Sequence, residues 1–116
     1  MLPLSILICP ATPPVPAVAV VSGDVDRCSA PELARQLGGV VDTGLVLDVS
    51  GVGFLDVGGL RALLALDARL RGAGQRLVLA AVPRPVRLLL DSVELDDPFG
   101  TSPTVEQAVA EVSTPG

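Results

Sequence analysis

Short apolar runs alternate along the chain with stretches whose apolar residues recur at the helical period. Leu4 to Cys9 and Ala17 to Val21 are two such runs, separated by Pro10, Pro13, Pro14 and Pro16, and they read as the strands of a hairpin. Ser22-Gly23-Asp24-Val25-Asp26 then leaves the sheet. Ser29-Ala30-Pro31-Glu32 predicts a helix start, with Ser29 as the cap, Glu32 in the reciprocal place of a capping box and Pro31 in the first turn. Leu33, Leu37 and Val40 supply the buried stripe of that helix, which ends near Gly38-Gly39. Asp42-Thr43-Gly44 turns the chain into Leu45-Val46-Leu47-Asp48-Val49, a strand buried on both faces.

After that strand, Ser50 ends the run, Gly51 and Gly53 read as a tight turn, and Asp56, Gly58 and Gly59 form a corner that hands over to a helix. Leu60 to Arg71 is the strongest helical pattern, with Leu60, Leu63, Leu64, Leu66 and Leu70 on one face. Asp67 falls inside that face, and Arg71 stands four residues on, in place to pair with it. Gly72-Ala73-Gly74 stops the helix, and Leu77 to Val82 is a second central strand. Pro83-Arg84-Pro85 opens a helix carrying Val86, Leu89, Leu90 and Val93 inward, closed by Asp96-Asp97-Pro98. Phe99-Gly100-Thr101 is at most a short edge strand. Ser102-Pro103 or Thr104, with Gln107, caps a last helix bearing Val105, Ala108, Val109 and Val112, and Ser113 to Gly116 is a frayed tail. The alternation predicts an α/β domain of parallel strands joined by right-handed crossovers, with the first hairpin adding an antiparallel edge. One domain fills residues 1–116, with its core at about 4–112.

Composition narrows the chemistry. With two Phe and no Trp or Tyr, the core is aliphatic, and 49% hydrophobic residues suffice to build it. A net charge of −5 argues against a nucleic-acid partner, which needs clustered cations, and fits a protein that meets a basic or mixed protein surface. The absence of histidine removes the Ser-His-Asp and Cys-His arrangements and the commonest metal ligand. No spacing supplies a base and a nucleophile, so binding is expected rather than catalysis, with no cofactor and no metal. Cys9 and Cys28 read as two buried, reduced thiols. The N-terminal run lacks a basic region and a small residue before Cys9, so no signal peptide or lipid anchor is expected. No run is long enough to span a bilayer, so no direct membrane insertion is expected and the location expected is cytoplasmic.

Four groupings invite chemistry. Gly51-Val52-Gly53 followed by Asp56 imitates a dinucleotide fingerprint, but Asp56 replaces the third glycine and would repel a pyrophosphate. Asp24, Asp26 and Asp56 form an acidic cluster if their turns lie side by side; solvated carboxylates capping backbone amides are the simpler reading. Asp91, Glu94, Asp96 and Asp97 make a solvated acidic patch. Arg84 and Arg87 flank a helix that begins at the same carboxyl end of the sheet as the Asp56 corner, where partners of open sheets meet them.

The run Ser22-Gly23-Asp24-Val25-Asp26 with Ala30-Pro31-Glu32-Leu33, then Leu45 to Val49 with Phe54-Leu55-Asp56-Val57-Gly58-Gly59-Leu60, resembles the STAS family of bacterial anti-sigma factor antagonists and their relatives. Gly72 to Gly74, Leu77 to Ala81, Pro83 with Val86, and Glu106-Gln107-Ala108 extend the resemblance over roughly Leu4 to Val112. It implies a mixed sheet of four or five strands with about four helices mainly on one face. It also implies binding to an anti-sigma factor, often a serine kinase with a histidine-kinase-like ATPase fold. Such a kinase phosphorylates a Ser or Thr between the Asp and the Gly-Leu of the corner, and the added charge breaks the interface. This chain departs from the pattern there: Gly58 takes the acceptor position, and Ser50, six residues before Asp56 at an expected strand end, is a poor substitute. Glu94-Leu95, where relatives often carry Gly-Leu, is a smaller departure. The resemblance thus implies a non-phosphorylatable binder. Asp56, Val57, Gly58 and Gly59 would lie at the interface centre, Asp24 beside them, and Arg84 and Arg87 at the rim. Gly58→Ser would restore the acceptor. Two other readings stay open: a STAS subunit of another assembly, such as a lipid-transport complex or a stress-signalling scaffold, and a small-ligand or nucleotide sensor.

Overall fold

Five strands run side by side in chain order: β1 (Ser5–Cys9), β2 (Ala17–Val25), β3 (Leu45–Leu55), β4 (Leu77–Ala80) and β5 (Gly100–Ser102). The structure is a computed structural model and describes residues 2–12, 15–40, 43–93 and 100–113. β1 is antiparallel to β2, and every later pair is parallel. The crossovers carry α1 (Ala30–Leu37), α2 (Val57–Gly72) and α3 (Arg84–Ser92), and α4 (Val105–Ser113) follows β5. Consecutive strand order follows when successive right-handed crossovers stay on one face.

Two apolar layers flank the sheet. The larger buries Leu33 and Leu37 of α1, Leu60, Leu63, Leu66 and Leu70 of α2 and Val86 of α3 against Ala17, Ala19, Leu45, Leu47 and Leu79. The smaller packs Ala108 of α4 on Val46, Val78 and Ala80, with Val18, Val105, Val109 and Val112 around them. Three helices therefore cover one face and one covers the other. This explains why Leu45, Val46 and Leu47, and all of β4, are buried on successive positions. Asp67 lies buried in the core face of α2, and its Oδ2 accepts from Arg71 Nε at 3.1 Å, the pairing expected from the sequence.

The second half of β3 corrects the sequence reading. Ser22 to Val25 do not leave the sheet, and Ser50-Gly51-Val52-Gly53 is not a turn; both segments continue the β2–β3 ladder to Val25↔Leu55. β3 uses eleven residues opposite nine of β2, and two register shifts absorb the difference. Bulges of this kind add an unpaired residue and break the period-two alternation, so the bulged stretch imitates a loop in sequence. Ser50 is accordingly mid-strand, and its amide and hydroxyl both donate to Asp48 Oδ1, at 3.0 and 2.7 Å. Gly23 has φ +90° and leaves no room for a side chain beside Pro3, so it is fixed by backbone geometry. β4 pairs with β3 only as far as Asp48↔Ala80. The last seven residues of β3 form a two-stranded ribbon with β2 that projects beyond β4.

Other expectations change at the helix ends. Ser29 precedes α1 without capping it, and the capping box does not form. Ser29 Oγ instead donates to the Asp24 carbonyl at 3.0 Å, and Glu32 pairs with Arg35 and accepts from Gln36 Nε2 at 2.8 Å. Thr104 caps α4, accepting the Gln107 amide at 3.2 Å, and Ser113 belongs to that helix rather than to a tail. Cys9 and Cys28 are free but exposed, not buried: Cys9 ends the edge strand β1, and Cys28 lies in the loop before α1. The Val40 side chain, Asp42, Glu94-Leu95, Asp96-Asp97-Pro98, Phe99 and residues 114–116 lie outside the described residues.

Two measurements test this packing. Leu47 is fully buried beneath the helices, so Leu47→Ala lowers unfolding free energy by about 2–5 kcal/mol, while Leu88→Ala, at a position 56% exposed, changes it by less than about 0.5 kcal/mol. In acid, the Arg35 and Gln36 hydrogen bonds and the Arg35 charge hold the Glu32 carboxyl at about 2, below its usual 4.5. A carboxyl lowered by folding stabilises above its unfolded value, and that stability is lost as pH falls through the folded one. The denaturant midpoint therefore drops between pH 4.5 and about 2, and Glu32→Gln makes that drop shallower.

Candidate functional site

Where the β2–β3 ribbon ends, one residue joins strand to helix. Leu55 closes β3, Asp56 is extended at φ −104° and ψ −177°, and Val57 is already in α2. Asp56 Oδ1 accepts the Gly59 amide at 2.8 Å, which satisfies one of the unpartnered donors of the first helical turn. Its Oδ2 accepts the Arg27 amide at 3.4 Å, its own amide donates to the Val25 carbonyl at 3.2 Å, and its carbonyl accepts from Leu60 at 2.9 Å. One residue thus fastens the ends of both central strands to the loop before α1 and to the start of α2.

That loop is built on a second aspartate. Asp26 Oδ1 accepts the Cys28 and Ser29 amides, each at 2.9 Å, and the Asp26 carbonyl accepts from Ala30 at 2.8 Å. The Ser29 amide bond, reinforced by the Cys28 amide, the Ser29 hydroxyl and the neighbouring Arg27 charge, holds the Asp26 carboxyl below its usual range against a desolvation cost. Asp26 thus organises the turn that leads into α1, while the Ser29 hydroxyl makes no bond to the first helical turn.

The two glycines of the corner are places of close approach. A Cβ on Gly58 would lie 2.8 Å from both Cα and Cβ of Arg27 and 3.0 Å from its amide nitrogen. On Gly59 it would run into the Val25 carbonyl and stand 2.7 Å from Leu55 Cδ1. Helix α2 starts so close to β2 and its following loop that neither position has room for a side chain.

An open depression of about 460 Å³ lies over the corner, formed by Asp26, Arg27 and Cys28 on one side and Phe54, Asp56, Val57 and Gly58 on the other. Phe54 and Val57 are 48% and 52% exposed. The structure thus brings Asp56, Val57 and Gly58 together at the surface, with Gly59 buried beneath them. Asp24 sits one step back on the ribbon, paired with Phe54, and its Oδ2 accepts the Leu2 amide at 3.2 Å. It lines an adjoining depression with Leu2, Leu4 and Cys28. Arg84 and Arg87 are exposed on α3 and line neither depression. Among the described residues, no three His, Cys, Asp or Glu side chains gather to hold a cation, and no helix is long and apolar enough to cross a membrane.

Sequence reasoning placed neither Arg27 nor Cys28 at the corner and did not foresee the exposure of Phe54. One signal was available: Arg27 is the only cation before Arg35 and stands directly after two aspartates of a turn.

A family model described as Mlab, STAS domain matches residues 10–106. Among solved structures, an anti-sigma factor antagonist from Mycobacterium paratuberculosis is 30% identical, with a TM-score of 0.84, over 97% of this chain and 96% of that one. The anti-sigma factor antagonist SpoIIAA in its unphosphorylated form is 16% identical, with a TM-score of 0.70, over 93% of this chain and 97% of its own. The Bacillus cell fate determinant SpoIIAA in its phosphorylated form gives 16%, a TM-score of 0.69, and coverage of 93% and 99%. The likeness to SpoIIAA concerns the fold, a mixed five-stranded sheet with four helices.

Close approach at Gly58 reverses an ordinary sign. In an exposed helix, replacing Gly by Ala gains about 1 kcal/mol. Here Gly58→Ala forces the Arg27 backbone aside and loses about 1–3 kcal/mol, as denaturant unfolding will record.

Proposed function

The chain belongs to the STAS domain family, and from that premise we propose that it is an anti-sigma factor antagonist that binds a kinase-type anti-sigma factor through the Asp56 corner and is not switched by phosphorylation there. Asp56, Val57, Gly58 and Gly59 form the centre of the docking surface, with Asp24 beside it and Arg84 and Arg87 at the rim. The protein acts by binding rather than by catalysis, as one domain, in the cytoplasm. The observation that carries this reading is the likeness to the Mycobacterium paratuberculosis antagonist across nearly the whole of both chains.

Regulation follows from position 58. SpoIIAA is known in both phosphorylated and unphosphorylated forms. In the reading proposed here, Gly58 stands where such a protein carries its acceptor hydroxyl. A phosphate would add about −1.5 to −2 charges beside Asp56; Gly58 has no oxygen to receive one. The tight seat of Gly58 on Arg27 supports a corner that holds one shape. The partner is therefore bound constitutively, and release depends on the amount of protein or on a competing partner.

A second reading is favoured by one observation, the description of the matching family by Mlab rather than by an anti-sigma factor antagonist. In that reading the same corner docks a STAS subunit into another assembly, such as a lipid-transport complex or a stress-signalling scaffold.

Purified anti-sigma factors of the same genome, mixed with this protein with and without ATP, decide between them. The first reading expects a complex that survives ATP and a chain that gains no phosphate. Loss of the complex on adding ATP, together with labelling of this chain, overturns constitutive binding. Binding to an ATP-binding-cassette subunit, with no anti-sigma factor bound, selects the second reading.

A further inference from the structure

Each carboxylate of the corner already accepts from at least one backbone amide. Asp26 Oδ1 holds the Cys28 and Ser29 amides, Asp56 holds the Gly59 and Arg27 amides, and Asp24 holds the Leu2 amide. Each keeps its negative charge, with part of its acceptor capacity already committed to the backbone. Arg27 differs. Its backbone is fixed, with its amide on Asp56 and its Cα and Cβ seated on Gly58. Among the described residues no carboxylate pairs with its exposed guanidinium. Next to it stand Phe54 and Val57, about half exposed, in the same open depression.

From this arrangement we infer that the central recognition group of the corner is Arg27, and that the partner presents an acidic side chain to its guanidinium beside an apolar side chain seated on Phe54 and Val57. The inference rests on the corner being the docking surface, as proposed above, and reverses the sign expected of its central group. Arg27 is the one cation among the residues that line the depression, beside Asp26 and Asp56, and among the described residues its guanidinium is the group left without an ion-pair contact there. An arginine anchored at its base suits this role, because its planar fork matches a carboxylate through two parallel hydrogen bonds. Arginine and aromatic residues are also the types that dominate binding energy at the centre of interfaces. The apolar pair excludes water from the ion pair and so strengthens it.

The test uses whichever anti-sigma factor of the same genome binds the wild-type chain, with affinities measured at two salt concentrations. Arg27→Ala keeps the Cα, Cβ and amide that seat on Gly58 and Asp56, so the fold is retained, as a melting curve will verify. It is expected to weaken binding about 10- to 100-fold and to flatten the salt dependence. Arg27→Lys keeps the charge without the fork and recovers part of the loss. Phe54→Ser weakens binding independently of salt. Arg35→Ala, the same charge change on α1 where Arg35 pairs with Glu32, leaves affinity unchanged. An Arg27→Ala chain that binds within about twofold of wild type, or an Arg27→Glu chain that binds more tightly, overturns the inference and leaves the proposed function standing. If no anti-sigma factor binds the wild-type chain, both fall.

Discussion

The carboxylate of Asp56 is the point on which the corner depends. One oxygen closes the first turn of α2, the other holds the amide of Arg27, and the backbone of the same residue bonds to Val25 and Leu60. Two stretches of chain 29 residues apart meet there: the end of β2 with the loop before α1, and the end of β3 with the start of α2. No longer connection at the strand–helix junction is needed, because Asp56 alone makes the turn. The depression above it is therefore formed by groups whose backbones are fixed before any partner arrives, which reduces the ordering cost of binding.

The rest of the fold supports this point from a distance. Beyond Asp48, β3 has only β2 as a neighbour, and the ribbon they form would be marginal by itself. It is held because Val49, Val52 and Leu55 continue the apolar layer past the end of β4 and pack with the helices above. The two extra residues of β3 make this possible. They re-aim the strand so that Val52 and Leu55 return to the buried side although the alternation between them is broken. The second, smaller layer beneath α4 lets β4 bury all four of its side chains with a purely aliphatic sequence.

Much of this was legible in the sequence, because the signals were local and strong. The leucine face of α2, the Asp67–Arg71 pair and the order of strands and helices all follow from period and spacing, and Thr104 was one of two caps that the spacing offered for α4. The corner was legible as an acidic residue and glycines between a strand and a helix. Three features were not. The length of β3 was hidden because a doubly bulged strand containing Ser50, Gly51 and Gly53 has the composition of a loop. The cap of α1 was misassigned because the Ser29 amide and hydroxyl are drawn to Asp26 and the Asp24 carbonyl, so the hydroxyl turns away from the first helical turn, and that depends on the path of the chain. The prominence of Arg27 was hidden because it depends on which carboxylates are already engaged, a fact that belongs to three dimensions.

The contact between Gly58 and Arg27 makes the two positions one unit. Any side chain at 58 displaces Arg27, and with it the hydrogen bond from its amide to Asp56. A substitution in the first turn of α2 is thereby felt in the loop before α1, on the opposite side of the depression, so one wall of this surface cannot be altered without moving the other.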